Sequence, residues 1–89
     1  MSSLITSFGI ALRQLRERQG WSQELLAERA DLNRSYVGEL ERGQAIASLH
    51  TLEKLALALG LTVTNLLAYA ESVDKTRTLR GIELTAIAC

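Results

Sequence analysis

The apolar positions fall at helical spacing from the first turns of the chain. Phe8, Ala11, Leu12 and Leu15 recur at i, i+3, i+4 and i+7, the one-sided stripe of a helix lying on a core. Gly20 stands where such a helix stops. Trp21-Ser22 starts another, because Ser22 is a good N-cap and Trp21 can staple onto Leu26. That second helix is predicted from 23 to about 30, with Leu26, Ala27 and Ala30 inward. Leu32-Asn33 repeats the device: Asn33 caps, Leu32 staples to Val37, and a short third helix ends at Gly43. Since only residues 31–33 separate the two, they read as a helix-turn-helix pair.

After a loop at 44–47, Ser48 caps a fourth helix whose Leu49, Leu52, Leu55, Ala56 and Leu59 line one face. Gly60 stops it, and Thr62 caps a fifth that carries Val63, Leu66 and Leu67. The expected fold class is therefore all-α, a compact five-helix domain over 1–72. Beyond Glu71 the pattern weakens. Residues 74–78 read as a polar linker. Residues 81–88 set Ile82, Leu84 and Ala86 against Glu83, Thr85 and Ile87, which fits either an edge strand paired across a dimer or a sixth helix. Residues 73–89 are thus expected to be a C-terminal tail, with dimerisation as its candidate role.

Composition narrows the picture. Eighty-nine residues suffice for one domain, and 47% hydrophobic content is too high for disorder. Ten Lys and Arg cancel ten Asp and Glu, so bulk positive charge cannot hold an anionic partner and local geometry must. Cys89 is the only cysteine, which excludes an internal disulfide and a thiolate zinc site. It is expected to be an inert terminal thiol, with an intermolecular disulfide as the alternative. His50 has no second ligand at helical spacing and reads as a surface residue. There is no nucleophile elbow, phosphate loop or metal cluster, so no enzyme activity, cofactor or metal is expected. No apolar run approaches the ~20 residues of a membrane span and no leader pattern is visible, so a cytoplasmic protein with no membrane partner is expected.

Residues 22–43 carry a further signal. The start Ser22-Gln23, the small Ala27, the turn at Asp31, and the run Asn33-Arg34-Ser35-Tyr36 through Glu41-Arg42-Gly43 together resemble the Cro/phage-repressor (XRE) family of helix-turn-helix regulators. Residues 48–61 resemble that family's fourth helix, and the likeness spans about 6–70. The Arg34-Ser35-Tyr36 start of the third helix and the short chain are most similar to restriction-modification controller proteins. The resemblance implies a lambda-repressor-like DNA-binding domain, a phosphate contact at Gln23, and an internal ion pair between Arg16 and Glu41. Two positions depart from the family pattern. Asp31 stands where glycine is usual, and Asp tolerates the left-handed turn. Ala47 stands where proline is usual, which bears on loop rigidity.

The residues themselves point the same way. Val37 and Leu40 face inward at i and i+3, leaving a polar outer face near the start of helix three that the major groove can read. Arg34 is the candidate for guanine O6 and N7. Ser35 and Tyr36 can meet bases, thymine methyls or phosphate. Glu39 can accept from cytosine N4 or pair with Arg42 at i+3. Ser22, Gln23, Asn33, Arg42 and Ser48 are the candidate phosphate contacts, with Ser22 and Ser48 at helix N-termini. Trp21 reads as a staple rather than a stacking platform.

One recognition helix covers about half a turn of DNA, so a twofold dimer on a palindromic site is expected. Val63, Leu66, Leu67 and Tyr69 are its candidate interface, or else they close the monomer core. The expected function is a sequence-specific DNA-binding transcriptional regulator, homodimeric on operator DNA, with the recognition helix at about 33–42. RNA polymerase or a toxin are further candidate partners. The alternatives are an antitoxin that binds DNA and a toxin, and an interaction module that has lost DNA reading.

Overall fold

The computed structural model describes the backbone of residues 3–88 and the side chains of 3–79. Five helices follow one another: α1 (Ser3–Arg18), α2 (Gln23–Arg29), α3 (Arg34–Glu41), α4 (Leu49–Leu59) and α5 (Val63–Ala88). No strand occurs among the described residues.

The ends are set by the local chemistry that the sequence suggests. Ser22 Oγ accepts from Leu25 N at 3.0 Å, Asn33 Oδ1 from Ser35 N at 2.8 Å, and Ser48 Oγ from Thr51 N at 3.1 Å. Each satisfies an orphan amide of a first turn. Thr62 Oγ1 does the same for Asn65 N at 3.0 Å. Gly60 closes α4 in the left-handed region at φ 72°. Asp31 takes the same region at φ 55°, so the α2–α3 turn forms without glycine.

Leu12, Leu26, Val37, Leu40, Leu55 and Leu66 are almost wholly buried and form the centre of one core fed by all five helices. Phe8, Ala11, Ala27, Ala30, Leu52, Ala56 and Leu59 complete it as expected. Leu49 does not join them. It is 75% exposed, because as the first residue of α4 it precedes the turn where that helix meets the body, and Thr51 and Leu52 take the buried places there.

The C-terminal third also differs from expectation. Residues 74–78 are no linker, and 81–88 are neither a strand nor a separate helix, since α5 runs unbroken from Val63 to Ala88. Over its 74–77 turn α5 is held on α1 by a polar clasp. Ser7, fully buried, donates to Asp74 Oδ1 at 2.8 Å and accepts from Arg77 Nη1 at 2.6 Å. Polar residues at 74–78 thus dock α5 rather than release it. Tyr69 Oη, donating to Gln14 Oε1 at 2.7 Å, holds the same pair of helices further along. Cys89 and the side chains after residue 79 lie outside the described residues. No single helix among the described residues is long and apolar enough to cross a membrane.

Candidate nucleic-acid interface

Helix α3 is fixed from behind. Val37, Gly38, Leu40 and Glu41 are buried, and Gly9 of α1 lies directly under its last turn. A Cβ on Gly9 would sit 2.6 Å from Glu41 O and closer still to Leu40 O, so only glycine permits this crossing. Glu41 anchors the same end. Arg16 Nε and Nη2 reach its two carboxylate oxygens at 2.7 and 3.0 Å, and Gln23 Nε2 donates to Oε1 at 2.9 Å. Arg16 Nη1 also donates to the Trp21 carbonyl at 2.7 Å. Its hydrogen bond to Glu41 raises the guanidinium pKa above its usual value, against the opposing effect of burial. The ion pair that the resemblance implies is therefore present, and it makes Arg16 a structural residue.

In front, α3 presents a polar row. Arg34, Ser35 and Glu39 are exposed, and their side chains make no hydrogen bond or ion pair among the described residues. Tyr36 is different. It is half-buried, and its hydroxyl donates to the Ile46 carbonyl at 3.3 Å and lies 3.4 Å from Thr51 Oγ1. The structure thus separates it from the three outward residues beside it. Periodicity could not show this, because the phenol reaches inward from a position on the polar face.

Around that row lie the other candidates. Asn33 is exposed with Oδ1 committed to its cap, and Ser22 and Ser48 are committed likewise. Gln23 is half-buried and spends one amide proton on Glu41. Arg42 is exposed; its Nε donates to Gln44 Oε1 at 3.0 Å, and no pair with Glu39 occurs among the described residues. Its guanidinium lies back along α3 over Gly38, where a Cβ would come within 3.0 Å of Nη1. Trp21 is half-buried against the core with Arg29 stacked 4.8 Å from its ring centroid. His50 is exposed, 3.8 Å from Glu53 Oε1.

The candidate interface residues divide. Leu66 is wholly buried inside the chain and can offer nothing to a second copy. Val63, Leu67 and Tyr69 are half-buried. Leu57, absent from the sequence-based set, is 83% exposed two residues before the end of α4. Its signal was available as a leucine off the inward face of an amphipathic helix.

A helix-turn-helix family model matches residues 12–66. The chain is 41% identical over 63 residues to the control protein C.BamHI of Bacillus amyloliquefaciens, covering 70% of this chain and 78% of that one. Among solved structures, the restriction-modification controller protein C.AhdI of Aeromonas hydrophila is 46% identical with a TM-score of 0.70, covering 73% of this chain and 98% of that one. The clp gene regulator ClgR of Corynebacterium glutamicum is 30% identical with a TM-score of 0.84, covering 94% of this chain and 88% of that one.

Proposed function

The chain belongs to the helix-turn-helix family, and on that premise we propose that it is a sequence-specific DNA-binding transcriptional regulator. It binds palindromic operator DNA as a homodimer, with the segment 33–42 in the major groove. One observation carries the reading. On α3 the buried side chains are held in the core or by the Arg16–Glu41 pair, while Arg34, Ser35 and Glu39 stand exposed and uncommitted. A rigid helix presenting free donors and acceptors is what base edges in the major groove require. Arg34 is assigned to guanine, Glu39 to cytosine N4, and Ser35 to a base or phosphate alongside.

The flanks supply the grip. Ser22, Gln23, Asn33, Arg42 and Ser48 border the row and are assigned to backbone phosphates, which position the helix without reading sequence. With formal net charge zero, affinity depends on these placed contacts. The relatives favour the restriction-modification controller kind of regulator over an antitoxin or an interaction module, since C.AhdI carries that description and C.BamHI is named a control protein.

Dimerisation is assigned to Val63, Leu67 and Tyr69 of α5 together with exposed Leu57 of α4, with residues 73–89 as a second contributing segment. Selection of bound fragments from random duplexes, followed by footprinting, tests the whole reading. A symmetric site with half-sites about one helical turn apart is expected. Absence of any enriched sequence at ~0.1 M salt would remove it.

A further inference from the structure

Four groups around Tyr36 form a directed chain. Ser48 Oγ donates to Thr51 Oγ1 at 3.1 Å and accepts from Thr51 N at 3.1 Å. Thr51 Oγ1 lies 3.4 Å from Tyr36 Oη, which donates to the Ile46 carbonyl at 3.3 Å. A hydroxyl has one proton, so the order is fixed: Ser48 donates to Thr51, Thr51 to Tyr36, and Tyr36 to the carbonyl. Every hydroxyl proton is used, and Thr51 is buried with little water to replace a lost partner.

The chain joins the first turn of α3 to the N-terminus of α4 through the loop at 44–47. That loop needs a tie. It has no proline, the Ile46 side chain is 74% exposed, and no backbone–backbone hydrogen bond is made at 45–47 among the described residues. Its first residue is held by Gln44 N on Glu39 O at 2.8 Å. Past that point the Tyr36 hydroxyl is the polar restraint on its backbone.

We propose that Tyr36 is a positioning residue for DNA binding and makes no contact with a base. Through Thr51 and the Ile46 carbonyl it fixes α4 relative to α3, so that Arg34 meets the groove while Ser48, through its backbone N–H at the start of α4, meets phosphate. This rests on the DNA-binding reading above.

The test uses the full chain and fluorescence anisotropy on a selected operator duplex and on a scrambled one. Circular dichroism melts set a temperature at which every variant is folded. Tyr36→Phe and Thr51→Val should each weaken operator binding about five- to tenfold, the worth of one hydrogen bond. Together they should lose little more than the larger single effect, because they break one chain. Thr51→Ser should bind as the native protein does. Ala47→Pro, which stiffens the loop without removing a described hydrogen bond, should restore most of the Tyr36→Phe loss.

A Tyr36→Phe loss confined to one base pair, with Thr51→Val at native affinity and no rescue by Ala47→Pro, would show a direct contact and overturn the proposal. Native affinity in both single variants overturns it as well. If the native protein fails to prefer the operator over the scrambled duplex, the DNA-binding reading falls and the proposal with it.

Discussion

Arg16 Nε sits 2.7 Å from Glu41 Oε2, with the two side chains only 11% and 3% exposed. The pair bolts α1 to the last turn of α3, and Gln23 of α2 shares the carboxylate. Removing one partner of a buried pair leaves the other uncompensated, which costs about 3–5 kcal/mol. Glu41→Ala should therefore lose that much in urea unfolding followed by circular dichroism, close to the whole stability of a small domain. Replacing both residues, as in Arg16→Met with Glu41→Leu, should recover most of the loss. A Glu41→Ala midpoint near that of the native chain would show that the pair adds nothing.

Gly9 sets how closely α1 and α3 approach. In Gly9→Ala the new methyl meets backbone oxygens of Leu40 and Glu41, which cannot rotate away. Helix α3 must shift, at about 1–3 kcal/mol for overpacking. Operator affinity should fall beyond what the lost stability explains, because the displaced helix carries the reading face. Gly20→Ala is the control: nothing lies within 4 Å of its Cβ, so only the φ of +75° is strained. Equal effects of both changes on operator affinity would remove the argument for close approach.

Docking of α5 should depend on acid. The Asp74 carboxyl is held below its usual range by hydrogen bonds from Ser3 and Ser7, with Arg77 adding attraction. A depressed carboxylate pKa stabilises the folded state above the unfolded value of 3.8 and loses that contribution as pH falls through the lower folded value. Amide protection in 70–79, taken relative to the intrinsic exchange rate at each pH, should therefore drop below about pH 4 ahead of protection in the α2–α3 unit. Asp74→Asn should flatten this local acid response; an unchanged profile in that variant would place its origin elsewhere.

What the sequence made legible was local. Ser22, Asn33, Ser48, Thr62 and Gly60 mark the helix ends because a cap satisfies amides within three residues of itself. Asp31 at positive φ follows from its own side chain. The Arg16–Glu41 pair was legible only through the resemblance, since nothing in spacing joins residues 25 apart. The docking of α5 at 74–77 was hidden because Ser7 meets Asp74 across 67 residues of chain. Leu49 was misplaced because periodicity gives a face but not where the neighbouring body ends. The front row at Arg34, Ser35 and Glu39 could be read as polar and outward, whereas Tyr36 could not, a phenol being long enough to satisfy either side.

Arg34 and Arg42 are both exposed arginines near α3, and their assigned roles predict different failures. Arg34 has no described partner and is assigned to a base, so Arg34→Ala should cost about 1–3 kcal/mol on the selected site and relax preference at one position. Arg42, held toward Gln44 and lying along the helix, is assigned to phosphate. Arg42→Ala should weaken selected and scrambled duplexes about equally and lower the log–log salt slope by about one. Titrating each variant against both duplexes from 50 to 200 mM salt, the range over which such contacts dominate, separates the two. If Arg34→Ala lost affinity on both duplexes alike, with a shallower slope, its side chain would belong on the backbone and the base reading would rest on Ser35 and Glu39.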